Sequence, residues 1–137
     1  MIKIHIDGAS KGNPGIGASG IVVLDDDLVI AKDSKIFEYC TNNEAEYQAL
    51  LLALHYIDEH ELDDVTIYSD SELVVNQMNS IYQCKNRRLL KFYGRAKNQM
   101  KGKNIRIEHI HREKNRIADR YVNQVLRDYL QSNVISS

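Results

Sequence analysis

"HIDGASKGNPGIGASGIVVL", residues 5–24, holds five of the chain's seven glycines and contains, from Gly15 to Gly20, a literal G-x-G-x-x-G. In a dinucleotide-binding domain such glycines lead from a strand into a helix, whose N-terminal N–H groups and positive dipole end hold a pyrophosphate. Here they lead into Ile21-Val22-Val23-Leu24, a β-branched run that reads as a second strand. Pro14 and the clustered glycines therefore read as a hairpin connection, not a phosphate cradle. Upstream, Ile2, Ile4 and Ile6 alternate with Lys3, His5 and Asp7, the period-two signature of a half-buried strand that ends at an acid.

A second strand is expected over residues 17–24 and a third over 28–37, with Asp25-Asp26-Asp27 as the turn between them. Thr41-Asn42-Asn43-Glu44 is a capping box at the head of an apolar helix that should run to Glu59. Ala45, Ala49, Leu52, Ala53 and Tyr56 share one face of it, and Leu50, Leu51, Leu54 and Ile57 widen that face into a deeply packed surface. Residues 65–70 read as a strand that again stops at an aspartate, and 71–79 as a short helix. Between Asn86 and Lys101, Leu89, Phe92, Tyr93, Ala96 and Met100 form an apolar stripe opposite Arg87, Lys91, Arg95 and Lys101, which predicts a basic amphipathic helix. Ile105, Ile107 and His109 alternate in a last strand. A final helix over 114–130 is expected to bury Ile117, Tyr121, Val125 and Tyr129, leaving residues 131–137 as a frayed tail. The order β-β-β-α-β-α-α-β-α predicts one α/β domain over residues 1–130: an antiparallel meander continued by parallel crossovers into a five-stranded mixed sheet with flanking helices.

The chain has 137 residues, enough to bury roughly two thirds of its unfolded surface in one domain. Its longest aliphatic run, Ala49 to Leu54, is far too short for a bilayer, and no basic-then-apolar leader opens the sequence, so a cytoplasmic protein without a membrane span is expected. Cys40 and Cys84 lack the spacing of a zinc site or disulfide framework. The formal charge of −1 conceals a polarity. Residues 1–70 hold 4 Lys/Arg against 14 Asp/Glu, whereas residues 71–137 hold 14 against 5. Such a division suits a polyanion held by one half and cations held by the other, although two solvated faces of opposite sign would also produce it.

Several acids call for more than solvation. Asp7 and Asp70 close their predicted strands at the sheet edge where α/β folds bind ligands. Asp70 could instead cap the following helix, but Asp7 has no helix to cap. Glu44 serves the capping box, while Glu46 falls on the same helical side as Leu50 and Ala53, where an unpartnered carboxylate is costly. Asp119 sits in the first turns of the last helix, where a dipole-favoured acid is an equal alternative. Four carboxylates converging on one place repel one another unless cations neutralise them. Mg²⁺ takes a few carboxylates together with substrate phosphate oxygens, and two such ions about 4 Å apart could drive phosphodiester hydrolysis.

"DGASKGNPG" at 7–15, "TNNEAEYQAL" at 41–50, "SDSELVVNQ" at 69–77 and "NRIADRYVN" at 115–123 together resemble the type 1 ribonuclease H family, over residues 1 to about 130. The resemblance implies a five-stranded mixed sheet and Mg²⁺- or Mn²⁺-dependent cleavage of the RNA strand of RNA–DNA hybrids with two ions per site, and a monomer is expected rather than an oligomer. It implies that Asp7, Glu46, Asp70 and Asp119 are the catalytic, metal-binding carboxylates. It also places Asn13, Asn42 and Asn43 near ribose 2′-hydroxyls and Thr41 with Asn86 around a phosphate of the DNA strand. Two departures stand out. Residues 80–85 are too short for the basic protrusion of several members, which leaves Arg87, Lys91 and Arg95 as the expected grip on the hybrid. In the loop before the last acid, where members often carry a histidine that assists turnover, "HIHREKN" offers His111 and Arg112 as rivals, the arginine resembling the short prokaryotic and archaeal branch. His5, His55 and His60 read as structural.

Two other functions share parts of this pattern. An inactive nucleic-acid-binding module would gain nothing from an uncompensated acidic pocket. A related exonuclease or resolvase would have no use for asparagine-rich segments suited to a 2′-hydroxyl.

Overall fold

The computed structural model describes the backbone of residues 1–136 and the side chains of residues 1–132. Ten elements follow in chain order: β1 (Ile2–Lys11), β2 (Gly15–Asp25), β3 (Leu28–Cys40), α1 (Asn42–Glu59), β4 (Val65–Ser69), α2 (Glu72–Met78), α3 (Arg87–Met100), β5 (Ile105–His109), a 3₁₀ turn (Arg112–Lys114) and α4 (Arg116–Ser136). The strands form one five-stranded sheet in the order β3-β2-β1-β4-β5. β1, β2 and β3 pair antiparallel, and β4 and β5 join in parallel after helical crossovers, so the expected mixed sheet is the observed one.

The G-x-G-x-x-G run lies wholly inside β2. Gly20 faces α4, and a Cβ there would stand 2.8 Å from Val122 Cγ2. Its glycine is therefore a packing requirement, not a phosphate contact. β1 does not stop at Asp7. The hairpin with β2 continues from Gly8↔Ser19 to Lys11↔Ile16, because the tight Gly12–Pro14 turn keeps both strands in register to its base. The parallel ladder with β4 ends earlier, at His5↔Tyr68. Asp7 thus sits where β1 loses its β4 neighbour, and Asp70 follows the last residue of β4 at the same level.

The main core fills the face covered by α1, α2 and α3, with Ile4, Ile6, Ile21, Ile67, Leu50, Leu54, Leu89 and Phe92 among its buried residues. A smaller core of Ala18, Val122 and Leu126 lies under α4 on the other face. α4 departs from expectation in three ways. It starts at Arg116 after the 3₁₀ turn rather than at Lys114, and its helical backbone runs to Ser136 through the expected tail, whose last residue, Ser137, lies outside the described residues. Its fully buried stripe is Ala118, Val122 and Leu126, one residue on from the predicted Ile117, Tyr121, Val125 and Tyr129, which are half-buried. The small Gly20 and Ala18 let α4 approach with its narrower residues inward, and Tyr121 is left at the margin beneath Lys32 Nζ, 5.4 Å from its ring centroid.

Candidate active site

The site is built where β1 outruns β4. A Cβ on Gly8 would stand 2.3 Å from the Ala45 carbonyl carbon and 2.6 Å from Glu46 N, so only glycine lets the first turn of α1 rest on β1. The contact aims Glu46 at Asp7, and Gly8 N–H donates to Glu46 Oε1 at 3.0 Å. The capping box fixes the start of the helix: Thr41 Oγ1 accepts from Glu44 N at 3.1 Å, and Glu44 Oε1 accepts from Thr41 N at 2.9 Å. Glu44 is thereby held away from the acids, and Glu46 is the glutamate that joins them.

Asp70 is not the cap of α2. Ser71 is, accepting from Val74 N at 3.2 Å. The Asp70 carboxylate instead accepts from Asn115 Nδ2 at 3.1 Å. Asp7, Glu46 and Asp70 each offer one oxygen to a cluster whose members lie within 4.8 Å of one another. Asp119 lines the same cleft, about 290 Å³, together with Asn42, Asn43, Arg112 and Asn123. Two acids respond strongly to this crowding. Burial, reinforced by the charges of Asp70 and Asp119, pushes Asp7 up to about 7, against the pull of hydrogen bonds with Glu46 and Gly8. Burial and then the charge of Asp7 hold Glu46 well above the usual carboxylate range. Glu46 Oε2 is buried without a hydrogen-bond partner among the described residues. A buried, crowded carboxylate oxygen of this kind can take either a proton or a cation.

A second cleft of about 230 Å³ adjoins the first through Asn43 and is lined by Asn13, Thr41, Glu44, Asn86, Arg88 and Leu89. Two helix N-termini meet there, since Asn86 caps α3 as Thr41 caps α1, its Oδ1 accepting from Arg88 N at 2.8 Å and Leu89 N at 3.3 Å. Asn42 and Asn13 interlock beside it. Asn42 Oδ1 accepts from Ser10 N at 2.8 Å, and Asn42 N donates to Asn13 Oδ1 at 3.0 Å.

A family model described as reverse transcriptase-like matches residues 5–125. The chain is 33% identical to ribonuclease HI of Halobacterium salinarum over 129 residues, spanning 93% of this chain and 65% of that protein. The solved structure of LC11-RNase H1, bound to an RNA/DNA hybrid, matches with a TM-score of 0.88 at 33% identity and covers 95% of this chain and 99% of its own. The chain belongs to the type 1 ribonuclease H family. The RNase H1 structure from the halophilic archaeon Halobacterium salinarum matches similarly, at a TM-score of 0.87 with 98% of its length covered. The bifunctional protein Rv2228c of Mycobacterium tuberculosis is 34% identical, but this chain spans only 37% of it.

Within this family frame, the structure brings Asp7, Glu46, Asp70, Asp119, Asn42, Asn43 and Arg112 to one cleft, and Asn13, Thr41 and Asn86 to its neighbour. His111 is exposed at the start of the 3₁₀ turn, its ring 6.0 Å from that of His109, and it does not line the acidic cleft. Arg87 and Lys91 are exposed on α3, while Arg95 lies two turns along that helix in a separate cleft with Lys35, Gln48 and His55. Three residues escaped the sequence reading. Arg88 could have been found from its phase, one position from Leu89 and beside the Asn86 cap. Asn123 follows Asp119 by four residues on the same helical side. Asn115 offered no signal in one sequence that it would be wholly buried.

Proposed function

We propose that the chain is a metal-dependent endoribonuclease that hydrolyses the RNA strand of RNA–DNA hybrids, with residues 1–130 as its catalytic domain. The carrying observation is the convergence of Asp7, Glu46 and Asp70 within 4.8 Å, in a cleft that also holds Asp119. Crowded acids persist only with protons or cations between them, and an all-oxygen donor set with an unpartnered buried Glu46 oxygen fits a hard divalent ion. Mg²⁺ or Mn²⁺ is therefore assigned to these four carboxylates, two ions when substrate is present. When bound, the ions supply an activated water and neutralise the charge that develops on the leaving oxygen.

The chain's own residues select and hold the substrate. Asn13, Asn42 and Asn43 line the two clefts and offer neutral donors and acceptors suited to ribose 2′-hydroxyls. Thr41, Asn86 and Arg88 surround a space where two positive helix ends and a guanidinium favour a phosphate, assigned to the DNA strand. Arg112, exposed beside the acids, can clasp a phosphate oxygen through its fork, and His111 is the alternative for that role. Arg87, Lys91 and Arg95 supply positive charge farther along α3. The hybrid complex of the LC11 relative supports this substrate class. All four acids come from one chain, which supports action as a monomer, and the free thiols Cys40 and Cys84 are consistent with a reducing cytoplasm.

Asp70→Asn tests the assignment. It should lower Mg²⁺-dependent cleavage by about 10³-fold, equivalent to about 4 kcal/mol of transition-state stabilisation, while fold and hybrid affinity persist. Glu44→Gln is the control and should retain activity, because glutamine also completes a capping box. Wild-type turnover by Asp70→Asn, or a loss from Glu44→Gln as severe as that from Glu46→Gln, would contradict the reading.

A further inference from the structure

Asn115 is fully buried where β1, the residue after β4 and the start of α4 meet. Its carboxamide orientation follows from its partners. The Ile6 carbonyl can only accept, so the Asn115 atom 2.8 Å from it is the amide nitrogen. That nitrogen directs its second hydrogen to Asp70 Oδ2 at 3.1 Å. The amide oxygen is then left facing His5 Nδ1 at 2.9 Å, and because an amide oxygen only accepts, that ring nitrogen must carry a proton. A flipped carboxamide would set its oxygen against both the Ile6 carbonyl and the Asp70 carboxylate. His5 therefore does more than fill space beside Tyr68, whose ring centroid lies 5.2 Å from its own. It is the donor that locks Asn115 in the one orientation that engages Asp70.

We propose that His5 and Asn115 form a positioning pair that ties down Asp70 Oδ2 and so presents the other Asp70 oxygen to the metal cleft. The inference rests on the metal-dependent reading above. His5 touches neither substrate nor cation, and its effect travels through Asn115. An aromatic ring at position 5 would satisfy packing, but it would leave the Asn115 oxygen without a donor and Asp70 with a looser partner.

His5→Phe tests the pair because it keeps a ring of similar shape and removes the Nδ1 donor. With hybrid substrate, KM should stay within about twofold while kcat falls about tenfold or more and the Mg²⁺ midpoint rises by a similar factor, the effect of losing an outer partner of a metal-binding carboxylate. The rise in melting temperature produced by Mn²⁺ alone, without substrate, should shrink in parallel. His5→Gln, which keeps an N–H donor, should recover part of both. Adding His5→Phe to Asn115→Ala should cause no further loss, and if Asn115→Ala does not fold the His5 series still decides the matter. A His5→Phe enzyme with an unchanged kcat, Mg²⁺ midpoint and Mn²⁺ shift overturns the proposal, as does one whose melting temperature falls equally with and without metal. Wild-type protein that fails to cut hybrid in Mg²⁺ would instead overturn the proposed function, and the Mn²⁺ melting shift would still report on the pair.

Discussion

At the scale of single residues, the cleft is controlled by what burial does to two carboxylates. Between the ordinary value of 3.8 for Asp7 and its native value of about 7, the native protein holds a proton that the unfolded chain has released. Its contribution to stability is therefore fully present below 3.8 and is lost as pH rises through about 7. In EDTA, the melting temperature should fall as pH rises from about 4 to about 7. Asp7→Asn, with no proton to lose, should flatten that fall, and saturating Mg²⁺ should do the same. Because cation and proton compete for the same oxygens, the apparent Mg²⁺ affinity should also rise up to about pH 7 and then level off. A wild-type melting curve in EDTA that is flat across this range would contradict the buried, crowded environment assigned to Asp7. The rival residues of the loop after β5 separate by position: Arg112 lines the cleft and His111 does not. Arg112→Ala should slow turnover more than His111→Ala, and Arg112→Lys should restore only part of it, lacking the bidentate fork. The reverse order in steady-state kinetics would return the role to the histidine. Glu46 was legible in sequence because a carboxylate in phase with Leu50 and Ala53 has no apolar reason to be there. Asn115 was not, because its burial depends on three elements that only the fold brings together.

At the scale of elements, the proposed substrate contacts depend on where two helices begin. α1 begins against Gly8 and α3 begins at the Asn86 cap, and both starts open onto one cleft with Arg88. The amphipathic phase of α3 revealed its basic character but could not rank its cations, since ranking requires knowing which end of the helix meets α1. The ends now give that order. Arg88→Gln should raise KM for hybrid more than Arg95→Gln, and it should flatten the slope of log K against log[salt] by about 0.7 to 0.9, the loss of one phosphate contact. Titrating binding at several salt concentrations checks it, and an unchanged slope in Arg88→Gln would place the phosphate elsewhere. The same limit explains the misplaced stripe of α4. Its 3.6-residue periodicity marked an apolar surface, but which residues lay deepest was decided by Gly20 and Ala18 on a strand about a hundred residues earlier.

At the scale of the whole molecule, the opposed charges of the two halves meet at a single edge. The first 70 residues supply three of the four acids, and the later ones supply Asn86, Arg88, Arg112 and the fourth acid, Asp119. Element order made the sheet legible, because a meander followed by crossovers has few right-handed solutions. The overhang of β1 beyond β4 was not legible, because it depends on how far a hairpin ladder outlasts a parallel one. That overhang leaves Gly8 N–H free for Glu46 and sets the acids beside an asparagine-lined groove, the juxtaposition from which hybrid-specific cleavage is inferred. End-labelled RNA–DNA, RNA–RNA and DNA–DNA duplexes of one sequence, incubated with the protein in Mg²⁺, in Mn²⁺ and in EDTA, test that inference most directly. The account predicts internal cleavage of the RNA strand of the hybrid with either metal, none in EDTA, and none of the DNA duplex. DNA–DNA cut as fast as the hybrid, or hybrid cut equally well in EDTA, would contradict it.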